Sequence, residues 1–469
     1  MKKIYILTIA CSSLILGSCD KALDLKPTEF IVEDKAFQNL NDLNQATLGV
    51  YAAINTEEII YTNTLMADET RLSNQNTGQG QGAFKWQHDA SVLGGDLTAN
   101  WFSSYRAIDR ANKALNAIDK VVAFNPTEEA RKLVLKGELL TLRALAHFEL
   151  VRMYSQGYNS SDISVPLVNS VILPDRASYP ARNTVGQVLT SVKADLQQAK
   201  TLIPAVQTDI YRISRLTITA TQARIALYEK DWSNAITFST EIINALPLAN
   251  AATYPTIFTD VSNAEVVFKL RRNVSTARPG DLWQRVSSNF DVFFAVSNKL
   301  LQTFSSPTRD VRYRVNVRLD ATRPEPELVN KYPGVPGLLG FQDIKFYRTS
   351  EMFLIRAEAY AETTGSIALG FADLNSLRAA RITNYVPVII TDKNLLINEI
   401  YNERFIELAF EGHRYFDLKR RNLTITRLAS DRNNAPEAIS LPSSNFRYIL
   451  PLPQSETFAN TNLVNNPNY

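Results

Sequence analysis

The sequence predicts a mostly α protein: a tetratricopeptide-like helical hairpin scaffold carrying long irregular loop insertions. Three observations predict it. Apolar residues recur at helical spacing through several long stretches. Ala223, Ala235 and Pro247 follow one another at twelve-residue steps, as two small crossing residues and a closing Pro do in a 34-residue helical hairpin. Two segments, 70–95 and 273–340, break this rhythm with Gly, Pro and Asn.

The first element is not part of the fold. Lys2 and Lys3 precede an apolar run from Ile4 to Leu16, and Gly17, Ser18 and Cys19 follow. A basic start, a short apolar core and small residues predict a cleaved secretory signal over 1–18. The run is too short to span a bilayer as a retained helix. Leu16-Gly17-Ser18-Cys19 resembles a bacterial lipobox, which implies that Cys19 is acylated and becomes the first residue of the mature chain. More than one acyl chain, at about 0.8 kcal/mol per buried methylene, makes a stable anchor. Residues 19–35, polar and containing Pro27, read as the tether.

The remaining chain, 36–469, is expected to fold as one unit, since stacked hairpins cannot bury their faces alone. Ala36–Ala53 carries Leu40, Leu43, Ala46, Leu48 and Val50 at helical spacing. The 70–95 segment holds Asn74, Gln75, Asn76, Gly78, Gly80 and Gly82 and reads as a long loop. Periodicity returns over Trp101–Val122 and Ala130–Tyr154, which read as a diverged pair spanning 101–154. Val185–Leu202 is amphipathic, with Val188, Leu189, Val192, Leu196 and Ala199 on one side. Two further hairpins are expected over 217–247, split at Lys230-Asp231, and over 347–381, split at Thr363-Thr364-Gly365. The 273–340 insertion contains a β-like run at Tyr313–Leu319, and Asn398–Arg420 reads as a last strong helix.

Composition limits function. The 469 residues are 45% hydrophobic and 21% charged, a balance that excludes a disordered chain. Fifty Lys and Arg against 47 Asp and Glu leave +3, no footprint for nucleic acid. Two Cys, one removed with the signal and one acylated, leave no thiol chemistry. No Gly-x-Ser-x-Gly, His-Glu-x-x-His or phosphate-loop motif is present, so no enzyme, cofactor or metal site is expected. Glu403, Glu407 and Glu411 share one helix face near His413, but Arg404, Arg414, Lys419, Arg420 and Arg421 surround them, and ion pairing accounts for the acids. His147, among Leu145, Phe148 and Val151, reads as a satisfied core imidazole.

What remains is aromatic: 22 Phe, 19 Tyr and 4 Trp. Pyranose C–H faces stack on such rings, while sugar hydroxyls need polar partners beside them. Trp101 and Trp232 lie on expected helices and read as core. Trp86 and Trp283 lie in loops among Gln, Asp and Arg, the chemistry of a sugar platform, and are the candidate ligand-binding residues.

Several motifs carry a family resemblance. Leu23-Asp24-Leu25-Lys26-Pro27 follows Cys19; Trp101, Tyr105, Ile108 and Asn112 mark one helix, and Arg143–Phe148 with Leu150–Tyr154 the next. Ser350–Ala359 and Glu403–Leu418 are the two strongest motifs, and Leu450–Glu456 with Asn465–Tyr469 close the chain. Together these resemble the SusD/RagB family of Bacteroidetes outer-membrane lipoproteins. The family form commonly has Gly before the final Tyr, where this chain has Asn468. The resemblance implies a SusD-like α/α superhelix anchored to the outer membrane through Cys19 and facing outward. It also implies a non-catalytic subunit that binds oligosaccharide or polysaccharide and delivers it to a SusC-like TonB-dependent transporter. Its motif residues are scaffold residues, so no ligand contact carries over. Three other readings stay open: peptide capture by the same kind of subunit, a protein-binding adaptor using its helical groove, and a hydrolase with an unfamiliar site.

Overall fold

The computed structural model describes residues 36–91, 96–172, 179–272, 278–285, 291–335 and 337–469. The expected signal 1–18, Cys19 and the 19–35 tether lie outside the described residues, as do parts of both insertions.

Local chemistry sets the helix ends. Asn39 and Asp42 form a capping box at the start of the Leu40–Ala53 helix, and Thr184 with Gln187 does the same for Val185–Leu202. Asn125 caps the long Pro126–Tyr154 helix, with Pro126 at its first position, where the missing N–H costs nothing. Inside the 217–247 hairpin, Arg215–Glu229 stops at Lys230, which sits in the left-handed region at φ 58°. Asp231 then caps Trp232–Ala245 by accepting from the Asn234 N–H. Ala223 and Ala235, the small residues of the repeat spacing, are fully buried where the two helices cross.

The second hairpin pairs Thr349–Glu362 with Ile367–Arg381 around Gly365, at φ 80°. Gly370 is needed there: a Cβ on it would stand 2.9 Å from the Ala357 carbonyl oxygen. Trp232–Ala245 packs against Thr349–Glu362, so the two hairpins stack although a hundred residues of chain separate them. Ala99–Ile118, Pro126–Tyr154 and Val185–Leu202 pack in succession on the other side. The main apolar core draws on residues from Leu40 to Leu463.

Two elements depart from the periodicity reading. The expected Asn398–Arg420 helix is two helices, Lys393–Glu407 and Arg414–Arg420. Between them Phe410 (φ 63°) and Gly412 (φ 84°) turn the backbone, and Gly412 passes close over Ile59. The run Tyr313–Leu319 is extended only over Val317–Leu319, which pairs with Glu327–Val329; Val311–Asn316 is helical. Asp310 caps that turn and pairs with buried Arg312, which reaches on to Glu403, so a tertiary ion pair overrides local β preference. An antiparallel pair of Val266–Leu270 with Ile344–Arg348 leads directly into the second hairpin.

Candidate functional site

The two insertions meet in space through strands that lie more than 200 residues apart in sequence. Thr70–Leu72 pairs antiparallel with Phe294–Val296, Arg71 opposite Ala295. The Arg71 guanidinium donates to the Val296 carbonyl at 2.5 Å and pairs with Glu325 at 3.0 Å and Glu327 at 2.6 Å. One side chain thus joins both insertions. Beyond the strand, Asn76 organises the loop: its Nδ2 donates to the Gln79 carbonyl at 2.8 Å, and its Oδ1 accepts from the Gly78 N–H at 2.9 Å. The Val292 N–H donates to Gln75 Oε1 at 3.2 Å, closing the contact between the loops.

The two candidate tryptophans serve this junction from inside. Trp283 is 1% exposed and Trp86 6% exposed, so neither offers a ring face to solvent. The expectation of a tryptophan platform is corrected by their packing. Both indoles dock on the last turns of the Thr56–Met66 helix: Trp86 Nε1 donates to the Met66 carbonyl at 3.2 Å, and Trp283 Nε1 to Thr64 Oγ1 at 2.8 Å. Trp283 stacks on Tyr332 at 5.8 Å between ring centroids and meets Phe410 edge-on. The Arg427 guanidinium lies 4.3 Å over the Trp86 ring and donates to the Leu65, Ala67 and Phe84 carbonyls. Burial pushes the Arg427 pKa down to about 9. Each tryptophan pins one insertion to the same helix end.

The outer face of the junction is polar. Asn74 and Arg285 are exposed and Gln75 and Asp291 half-buried here; the neighbouring Ser73 N–H donates to the carbonyl of buried Phe293, over whose ring the Arg285 guanidinium stands 5.6 Å from the centroid. The Arg285 and Asp291 side chains are 3.8 Å apart, and the Arg285 backbone N–H donates to the Asp291 carbonyl. Amide, guanidinium and carboxylate beside an aromatic edge can partner hydroxyl groups in both donor and acceptor roles.

The acidic face on Glu403, Glu407 and Glu411 is fully ion-paired, though not by the neighbouring arginines of its own sequence. Glu403 meets Arg312 and Arg378, Glu407 meets Arg348 and Arg381, and Glu411 meets Arg348 and Lys331. Despite burial, these cations hold the three carboxyls below the usual carboxylate range. Arg404 and Arg420 instead pair with Asp417, and Arg414 with Asp68. His147 is 1% exposed; its Nδ1 sits 3.0 Å from the Arg143 carbonyl, and the Val168 N–H points at its Nε2. Burial pushes its pKa down to about 4, consistent with a neutral core imidazole. Among the described residues no cluster of His, Cys, Asp and Glu is arranged to hold a metal ion.

Two of the cavities away from the junction are lined by tyrosines and basic side chains. One, of about 350 Å³, is bounded by Tyr158, Tyr228 and Lys419. The Lys419 ammonium donates to the Ser155 carbonyl at 2.8 Å beyond the end of the Pro126–Tyr154 helix, and burial pushes its pKa down to about 7. The other, about 580 Å³, is a groove between the ends of Leu40–Ala53 and Val266–Leu270, with Tyr51, Tyr211 and four arginines in its walls. Sequence reading missed the Arg71 and Arg427 clamps and this groove, because each joins residues from distant segments and leaves no local pattern.

Comparison with known proteins follows the same outline. Residues 339–469 match the model of the SusD family, and residues 21–227 match one described as starch-binding associating with outer membrane. Two SusD-like proteins of Formosa agariphila are each 25% identical; one alignment covers 94% of this chain and 95% of the relative, the other the whole of both. Among solved structures, a SusD superfamily protein of Bacteroides thetaiotaomicron superposes with a TM-score of 0.81 at 22% identity, over 92% of this chain and 100% of its own. A putative sugar binding protein of Bacteroides vulgatus superposes at 0.77 with 24% identity, over 92% of this chain and 99% of its own.

Proposed function

Because the chain belongs to the SusD/RagB family, we propose that it is a non-catalytic, surface-exposed lipoprotein, anchored through Cys19, that binds oligosaccharide or polysaccharide and delivers it to a SusC-like TonB-dependent transporter in the outer membrane. Among the described residues no helix is long and apolar enough to cross a membrane.

The observation that carries the reading is the junction itself. The fold spends a strand pair, the Arg71 clamp and two buried indoles on holding two distant loops together, and that junction presents hydroxyl-matching side chains outward. The binding face is assigned to Asn74, Arg285 and Asp291 around Phe293, in place of the tryptophans. Loops positioned by a rigid scaffold are the usual place for recognition.

The test is calorimetric titration of the purified protein with a polysaccharide panel and with peptide pools. Saturable heat with one glycan, lost in the Asn74→Ala, Arg285→Ala double variant at unchanged melting temperature, is the expected result. Heat with peptides alone would replace glycan capture with peptide capture.

A further inference from the structure

The 580 Å³ groove takes no part in the junction, and its charge is unbalanced. Four arginines line it. Arg212 is neutralised by Glu138 at 2.6 Å, and Arg272 by Glu57 through two contacts of 2.5 and 2.6 Å. Arg106 and Arg271 are exposed, and among the described residues neither forms an ion pair. Among the described residues the only acids in the lining are Glu57, already engaged, and Asp209, whose Oδ1 accepts from the Tyr211 N–H at 2.9 Å.

Arg271 is nevertheless positioned. Its guanidinium lies 4.0 Å over the Tyr211 ring, and Tyr211 is fixed by its hydroxyl donating to Asp343 Oδ2 at 2.8 Å. Stacking orders a guanidinium while leaving its N–H edge free to meet an anion in the ring plane. Around the two free arginines the wall changes character: Leu48, Ala52, Ile54 and Leu270 are apolar, and Asn55 and Ser103 offer an amide and a hydroxyl. A groove of this size exceeds what an inorganic oxyanion fills and falls in the range of small-ligand sites.

We propose that this groove is a second binding site, specific for an acidic group carried on a saccharide, a uronate carboxylate or a sulfate ester, with Arg106 and Arg271 as its partners. A planar carboxylate and a tetrahedral sulfate ester each present two oxygens to the donor fork of arginine. The apolar wall takes the C–H face of the sugar, and Asn55 and Ser103 take its hydroxyls. The inference rests on the reading of the protein as a glycan binder, but not on the junction face.

The test titrates the purified wild type, Arg106→Gln, Arg271→Gln and the double variant with four probes: uronic-acid oligosaccharides, sulfated oligosaccharides, uncharged oligosaccharides of equal length, and inorganic sulfate. An acidic oligosaccharide should bind, weaken with added salt, and lose roughly tenfold in affinity in each single variant. Melting temperatures should fall by no more than the small loss of the exposed Arg271–Tyr211 stack, since neither side chain is buried or ion-paired. Acidic oligosaccharides that bind equally to wild type and double variant would overturn the site. So would binding of uncharged oligosaccharides alone, which would leave the glycan reading intact; no binding of any saccharide would remove both. Inorganic sulfate binding as tightly as the oligosaccharide would reassign the groove to a free oxyanion.

Discussion

Trp283 shows how much one buried side chain carries. Its indole is enclosed by Thr64, Tyr332 and Phe410, with its N–H spent on Thr64 Oγ1. Trp283→Ala should therefore cost about 3–5 kcal/mol of stability through cavity formation and the loss of the hydrogen bond to Thr64, read as a fall in melting temperature. Glycan affinity of the protein that remains folded should survive; its loss at unchanged stability would restore the platform reading. Glu69 offers a test by pH. It is fully buried, Oε2 accepts from the Phe410 N–H at 3.3 Å, and Oε1 has no partner. Burial pushes its pKa up to about 8, helped by the charge of Asp68 and opposed by the Phe410 N–H, Arg414 and Lys331. Unfolded glutamate titrates near ~4.3. The folded state thus holds a proton the unfolded state gives up, a contribution complete below that value and lost as pH rises through 8. Glu69→Gln keeps the neutral form, so its stability relative to wild type should climb between pH 5 and 8 and then level. Parallel stability curves would refute the assignment.

At the scale of elements, the Lys393–Glu407 helix illustrates a face whose partners are all remote. Arg381, at the end of the second hairpin, is fully buried; it bonds Glu265 and Glu407, donates to the Ala249 carbonyl at 2.7 Å, and lies 4.1 Å over Tyr254. Arg381→Ala leaves the inner carboxylates with Arg348 and Arg312 but without their shared clamp, and should destabilise by about 3–5 kcal/mol in chemical denaturation. Arg381→Lys should not rescue it, because an ammonium cannot span two carboxylates and a carbonyl at once. The helices themselves were legible: Val185–Leu202 has the expected bounds, and the break at Lys230-Asp231 falls where expected, because a cap and a period are local properties. The single long helix expected over Asn398–Arg420 was not. Its break depends on Glu69 receiving the Phe410 N–H and on Ile59 lying beneath Gly412, contacts that periodicity does not encode.

For the whole molecule, local patterns by themselves determined the helical class and the two hairpins, since caps and small crossing residues act within a few turns of chain. They also identified His147 as a core residue and the Glu403–Glu411 face as ion-paired. Only the tertiary structure decided which cations do the pairing, because Arg312, Arg348, Arg378 and Arg381 reach that face across packed helices. It alone turned Trp86 and Trp283 inward. A loop tryptophan reads as exposed in sequence, yet the Thr56–Met66 helix end offers a hydroxyl and a carbonyl that satisfy both indole N–H groups, and burial of so large an apolar surface outweighs exposure. And it alone brought Arg106, Tyr211 and Arg271, from three separate segments, to one groove, because convergence of distant side chains is set by packing and not by any spacing along the chain.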